Sequence, residues 1–598
     1  MPKTYFDWRD LPFREIWVVD TEFYPGLGLA NGGEQGDAIT PLCLCALEMR
    51  AGRLVRRWQN ELGPFPPYSF GPDSVVISYM ASAELGVHIA LGWPQPVNVL
   101  DPYIEFRHYV NDGSVEERDK GFFGLGGALR YFLDDGIDSA HKHDMRERIL
   151  QGRPFTADER NAILDYCELD TRSLARLVTH IVTTIRSLPH ALQRGKVQWA
   201  IAQQEGRGVP IDLPLLTRLR TQWNAIKCDL VIEKDRYGIY EIIDGVPHWR
   251  KQRFADCIRR NQWAWPLLGS GVYDETDDAF KQIEGRYPEV KELRQLRYTL
   301  SKLKLHALQV GRDGRNRAAP LGAYGTKTGR NAPSNSKFVF GPAKWLRFLI
   351  APPHGRALIH RDYSQQEMRI AALLSGDAAL LQACESSDVY LGMAKQLGLA
   401  PQDATPETHA PVRALFKTVT LGIQYGLAAP SLSLRTGLPL FQAYEILARL
   451  RAQFRVFEAF AKSVLDHAGL TLEIGTPLGW YMQCPPGINS RTVRNFPMQS
   501  TASEILHIAV VLAERRGIPV VATVHDAMMA ECDLDEVDDV SAALDRVMRD
   551  AASLILRGHE LPTDVQIVRP GERFFDKNGV EMWGTVSDVL TKLERRTA

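Results

Sequence analysis

Two separated sets of acids carry the chemistry in this sequence. In ALIHRDYSQQEMRIAALLS (357–375) an apolar run delivers Asp362 at its end. A helical pattern through Met368, Ile370, Ala371 and Leu374 follows. Far downstream, the β-rich stretch 518–524 runs into His525 and Asp526. Two strands that each present a carboxylate can hold a pair of divalent cations between them. Such cations activate a hydroxyl nucleophile and stabilise the charge of a transferring phosphoryl group. Either aspartate alone would be read more simply as a turn or cap residue.

The second set lies near the amino terminus. Asp20 and Glu22 are two apart, so on a strand they share a face. Tyr166 and Asp170, in LDYCELDTRSLARL, are four apart and share a helix face. One more carboxylate must come from a third region, and both Glu84 (SYMASAELGVHIA) and Asp101 (PVNVLDPYIEFR) qualify. Four acids and a tyrosine can assemble two cations and a positioned water around a phosphodiester.

Between the carboxy-terminal acids lies PVRALFKTVTLGIQYGLA (411–428), where Arg413, Lys417, Leu421 and Tyr425 fall four apart. On a helix they form one slowly turning face, with two cations for phosphates and an aromatic for a base or sugar. Pro411 suits the first turn.

The elements that must position these groups follow from pattern. The first 180 or so residues read as α/β, with strand-like runs at 16–19, 43–49 and 74–78 and helical patterns at 125–132 and 157–187. Val197 opens a mostly helical region to about 308, with Pro210 and Asp212 marking a helix start and 240–271 a local insertion. Ten basic residues lie between Lys291 and Arg330, opposed only by Glu292 and Asp313, which suggests a phosphate-backbone surface. The 598 residues suffice for several domains, and 45% hydrophobic with 24% charged residues excludes wholesale disorder. Balanced charge (71 basic, 72 acidic) leaves nucleic-acid binding open, since that needs only a local positive surface. The eight cysteines lack ligand spacing and read as reduced thiols; with no signal-peptide core and no long apolar run, a cytoplasmic location and no membrane contact are expected.

Taken together, the motifs resemble family A DNA polymerases, the group of bacterial DNA polymerase I, in a compact, phage-like form. DYSQQEMR (362–369), RALFKTVTLGIQYG (413–426) and VHDAMM (524–529) are similar to that family's motifs A, B and C. SRTVRNFPMQSTASEI (490–505) and TKTGRNAPSN (326–335) resemble its primer-template segments. The amino-terminal third resembles a proofreading exonuclease of the four-acid-and-tyrosine type, and the separate 5′-nuclease domain of many relatives is expected to be absent.

The resemblance implies an α/β multidomain chain, with a ribonuclease H-like exonuclease domain (1–190), a helical thumb (191–310), a first part of the palm (311–390), fingers (391–475) and a second part of the palm (476–598). It implies two Mg²⁺ per active site, with Mn²⁺ as a substitute, held by Asp362, the Tyr363 carbonyl and Asp526, and by Asp20, Glu22, Glu84 and Asp170. Glu84 is favoured over Asp101 as the third acid. Nucleotide contacts would fall on Tyr363, Gln365, Glu367, Arg413, Lys417, Leu421 and Tyr425. DNA contacts would fall on Lys302, Lys304, Arg330, Arg491, Asn495, Gln499 and His525. Partners would be primer-template DNA and dNTPs, with the protein a monomer and any accessory proteins unknown. The chain departs from the family at Thr420 (usually Asn), Leu421 (usually aromatic) and Ala527 (usually Glu), and PLGWYMQ (477–483) lacks the arginines relatives often carry there. The competing reading is a DNA-binding 3′–5′ exonuclease with impaired or specialised polymerase activity.

Overall fold

The structure, a computed structural model, describes residues 7–597 except 28, 113, 115–117, 119–120, 137–138, 153, 285, 303–304, 318–320, 387 and 425. The architecture is α/β, built around two main sheets. The first has five strands: β1 (Glu15–Pro25), β2 (Ile39–Glu48), β3 (Arg53–Trp58), β4 (Ser74–Ile77) and β5 (Val99–Leu100), in the order β3-β2-β1-β4-β5. β1 runs antiparallel to β2 and parallel to β4. It lies at the centre because Ile16, Trp17, Val18 and Val19 are all buried, so both faces are covered. The strand does not stop at Asp20, where the apolar run ends, but continues to Pro25. Main-chain pairing with β2 carries it past the two acids, with an irregularity between Glu22 and Phe23.

Helices α1 (Ser82–Ala90), α2 (Pro102–Tyr109), α3 (Ser139–Gln151) and α4 (Ala157–Ile181) belong to this half. Helix α4 starts with a capping box, in which Thr156 Oγ1 accepts from the Glu159 amide and Glu159 reaches back to the Thr156 amide. It ends at Ile181, short of the expected 187. Helix α5 (Leu188–Arg207) follows and starts nine residues before the expected Val197. Pro189 in its first turn fixes the backbone there without losing a needed donor. The predicted insertion at 240–271 holds a hairpin (Tyr240–Ile243 with Val246–Trp249) and a helix (Lys251–Asn261). With the following segment it closes over its own aromatic core of Phe254, Trp263, Trp265 and Phe280.

The second sheet is antiparallel: β6 (Arg356–Tyr363), β7 (Val520–Val524), β8 (Ala527–Asp533) and β9 (Thr563–Val568), in the order β7-β8-β6-β9. Helices α6 (Gln366–Ser375), α7 (Ala410–Gln424), α8 (Ser490–Arg515) and α9 (Val537–Ile555) belong to this half, and α8 and α9 pack on the sheet. Alternation along β6 decides which side carries chemistry. Arg361 and Tyr363 point to α9, where Arg361 Nη1 donates to Asp545 Oδ1 (3.0 Å) and the Tyr363 hydroxyl donates to the Met548 carbonyl (2.6 Å). Asp362 therefore faces the opposite side of the sheet.

Candidate active sites

In the second sheet, Asp362 pairs directly with Ala527 across the β6–β8 ladder. Asp526 is the next residue, and its carbonyl accepts from the Tyr363 amide (3.3 Å). The β7–β8 connection is a two-residue turn between Val524 and Ala527, and His525 takes a left-handed φ of 58° to make it. That tight turn holds Asp526 against the end of β6. The two carboxyls come within reach of each other, where a proton held by one would bridge them. Burial and the neighbouring Asp526 push Asp362 up to about 8, and Asp564 on β9 adds to the effect. Burial also raises Asp526. Asp362 Oδ1 is enclosed and lacks a hydrogen-bond partner.

The amino-terminal acids gather in the same way. Ile16, Val18, Asp20 and Glu22 share one face of β1. Leu174, Leu177, Val178 and Ile181 of α4 cover its apolar end, and one to two turns earlier α4 presents Asp170 and Tyr166 to the acidic end. Asp20 is raised to about 8 by burial and by Asp170, and Glu22 is raised by burial, Asp20 and Asp170. Glu84, on α1, is raised by burial and by Asp20. The Tyr166 hydroxyl is held protonated by burial and the adjacent acids. Asp20 Oδ2, Glu84 Oε2 and Asp170 Oδ1 are all buried without hydrogen-bond partners.

Asp101 has a different occupation. Its carboxylate accepts from the amides of Met80 (3.0 Å), Ala81 (2.9 Å) and Tyr103 (3.0 Å), so it caps α2 and fixes the approach to α1. Between the two candidates left open by the sequence, Glu84 has the orphaned oxygen facing the acids. Lys142, which the sequence reading missed, donates to Asp170 Oδ2 (3.0 Å). It lies on α3, in SAHKHDMRERILQ, a mixed polar segment with no periodic signal to mark one lysine.

A buried carboxylate oxygen without a donor is costly unless a proton or cation meets it. Both acid sets have such oxygens, and carboxylates suit hard divalent cations such as Mg²⁺. Among the described residues no three acidic, histidine or cysteine side chains are already arranged as a cage. The donor chemistry at both sets thus suits Mg²⁺ or Mn²⁺.

Other expected residues are placed unequally. Lys417 is exposed on α7, but the Arg413 guanidinium is bonded to Asp388 and lies over the Tyr390 ring (5.5 Å). The proposed pair of free cations is therefore one free lysine and one engaged arginine. Thr420 is buried and donates to Met393 Sδ (3.1 Å). Tyr425 and the Leu421 side chain lie outside the described residues, as do Lys304 and the Lys302 side chain. Gln365 sits at φ 55° just before α6, and Glu367 in the first turn of α6 is ion-paired with Arg330. On α8, Arg491, Asn495 and Gln499 fall on one stripe; Arg491 is exposed, while Asn495 is buried with Oδ1 unpartnered. His525 is exposed at the hairpin tip.

The expected phosphate surface between Lys291 and Arg330 is largely neutralised internally. Arg294 pairs with Asp277 and Glu284, Arg297 with Glu275, Arg312 with Asp37, Arg315 with Glu531 and Arg317 with Asp313. The sequence count missed this because most of those acids lie outside the basic run.

The profile described as DNA polymerase family A matches residues 325–571, which span all five carboxy-terminal motif segments. The chain is 25% identical over 461 residues to "DNA polymerase I, thermostable" of Thermus filiformis, covering 72% of this chain and 53% of that protein. It is 28% identical over 335 residues to DNA polymerase I of Chloroflexus aurantiacus, covering 50% and 34%. It thus spans about half, or less, of the length of these curated relatives. Among solved structures, the chain resembles the "POL domain of Pol1 from M. smegmatis complex with DNA primer-template and dNTP" (TM-score 0.67, 19% identity, 93% of this chain and 95% of that one), a likeness of fold. Residues 325–571 thus carry a domain that matches the DNA polymerase family A profile.

Proposed function

We propose that this chain is a template-directed DNA polymerase, adding dNMP from dNTP to a primer 3′-hydroxyl, with a linked 3′–5′ exonuclease in its amino-terminal part. The observation that carries the reading is the convergence of Asp362 and Asp526 across the β6–β8 ladder. Two Mg²⁺ at each acid set would activate the attacking oxygen and neutralise charge on the transferring or cleaved phosphate. Asp362 and Asp526 would give up their shared proton and bind these ions. Lys417, exposed on α7, would take the triphosphate and favour departure of pyrophosphate. Glu367, fixed by Arg330, would lie beneath the sugar and crowd a 2′-hydroxyl. Arg491, Asn495 and Gln499 would line the primer-template.

In the amino-terminal set, Asp20, Glu22, Glu84 and Asp170 would hold the ions. Tyr166, kept protonated, would orient the water that attacks the terminal phosphodiester. Cytoplasmic location and action as a monomer belong to the same proposal. Among the described residues no helix is long and apolar enough to cross a membrane.

Primer extension with Mg²⁺ and four dNTPs tests the reading. Asp362→Asn or Asp526→Asn should abolish extension and leave release of a mismatched 3′-nucleotide largely intact. Equal loss of both activities in a folded variant would reject two separate sites.

A further inference from the structure

Strand β6 has two neighbours, and Asp362 is paired in register with both. On one side stands Ala527, on the other Asp564 of the edge strand β9. Residues directly opposite one another across an antiparallel ladder project to the same face, with Cβ atoms about 5 Å apart. Asp564 therefore shares the face of Asp362. A like-charged pair directly opposite on adjoining strands is destabilising. This pair is nevertheless built in detail: Ser364 Oγ donates to Asp564 Oδ2 (2.6 Å), and the Ser364 amide donates to the Pro562 carbonyl (2.9 Å), fixing β9 against the end of β6. Asp564 is exposed, Ser364 holds its Oδ2, and its charge acts on Asp362.

Resting on the polymerase reading above, we propose that Asp564 is the third carboxylate of the Asp362–Asp526 cation site, supplied by the edge strand because the other in-register neighbour, Ala527, has none. Its role is to bind a divalent cation directly or through a water, with Ser364 setting its rotamer. The placement predicts exchangeability. Positions 527, buried, and 564, exposed, both pair in register with Asp362, so a carboxylate at either should serve.

The test measures Mn²⁺ binding by the full chain from the EPR signal of the free ion, without DNA or nucleotide. Asp20→Asn and Asp170→Asn are present throughout to silence the amino-terminal acids. Asp564→Asn should weaken Mn²⁺ binding about tenfold, the effect typical of losing a residue that supports a metal site. It should also raise the Mg²⁺ concentration needed for half-maximal extension while leaving the melting temperature unchanged. Asp564→Glu should stay close to the parent, and adding Ala527→Glu to Asp564→Asn should restore binding. If Asp564→Asn binds Mn²⁺ like the parent while Asp362→Asn does not, the role of Asp564 is refuted and the polymerase site stands. If Asp362→Asn also binds like the parent, the cation site itself is refuted, and Asp564 with it. Failure of the double variant to recover would overturn the exchangeability of the two positions.

Discussion

Replacing Asp362 by Asn should make the metal-free protein more stable at alkaline pH even as it removes polymerase activity. The carboxyl is held up at about 8, against an ordinary value of 3.8, by burial and by Asp526. An acid raised in the folded state contributes stability that is complete below its unfolded value and is lost as pH climbs through the folded one. Between about pH 5 and pH 8 the folded chain therefore carries a proton that the unfolded chain has released. Each pH unit of that interval removes about 1.4 kcal/mol, an upper limit of about 4 kcal/mol. Asp362 is only partly buried and shares its proton with Asp526, so about 1–2 kcal/mol is the working figure. Asparagine can still donate to Asp526 but never ionises. In EDTA, the melting temperature of Asp362→Asn relative to the parent should be near zero difference at pH 5 and clearly positive at pH 9. Added Mg²⁺ should narrow the gap at pH 9 by stabilising only the parent, because cation binding displaces the proton. A difference independent of pH, or one that favours the parent at pH 9 in EDTA, would refute a strained carboxyl pair.

Three further outcomes follow from the contacts. Glu84→Gln should abolish excision of a mismatched 3′-end without lowering the melting temperature, whereas Asp101→Ala should destabilise by about 2–4 kcal/mol, because one buried and two part-buried amides lose their acceptor; denaturant titration beside an exonuclease assay separates the two. Lys417→Ala should raise the KM for dNTP by about 10–100-fold with the primer KM unchanged, the worth of one charge-assisted phosphate contact. Lys142→Ala should destabilise the metal-free protein by about 1–2 kcal/mol at pH 8, since Asp170 loses its 3.0 Å ammonium partner, and Mn²⁺ should then stabilise the variant more than the parent in thermal melts.

Legibility in the sequence tracked how local each signal is. The β6 strand, the α6 helix and the acids at their junction could be read because an apolar run and a period of about four sit side by side in one stretch. Asp20 with Glu22, and Tyr166 with Asp170, were readable as pairs because strand and helix periods place them on common faces. What could not be read were contacts made at a distance. Arg315 looks available until Glu531 is brought against it, and Arg413 looks free until Asp388 closes on it. Asp101 and Glu84 look alike as acids; only their donors distinguish a cap from an orphaned carboxylate. Asp564, in LPTDVQIV, has no local signal that singles it out. Only the register sets it beside Asp362.

The two acid sets are also mechanically joined. Asp101 ties the start of α1, and so the Glu84 helix, to the first turn of α2. Further along α2, Arg107 donates to the carbonyls of Tyr324 (3.1 Å) and Gly325, and just past its end Asn111 Nδ2 donates to the carbonyls of Lys327 and Tyr481 (2.8 Å each). His108 stacks on Trp480 (4.9 Å), and Trp480 Nε1 donates to the Lys327 carbonyl (2.9 Å). The same indole packs over Gly329, whose φ of 76° favours glycine and where a Cβ would meet the ring at a tight 3.3 Å. One residue later, Arg330 holds Glu367 in front of the Asp362 strand. The links in this path are hydrogen bonds to backbone carbonyls, a ring stack, the indole packed on Gly329 and an ion pair, and the buried Arg194–Glu105 pair clamps α2 to α5 beside it. A path of that kind transmits position because none of its members can rotate away without leaving a buried donor or acceptor unmet. The spacing between the site proposed to add nucleotides and the site proposed to remove them is thus set by hydrogen-bonded packing rather than by a linker.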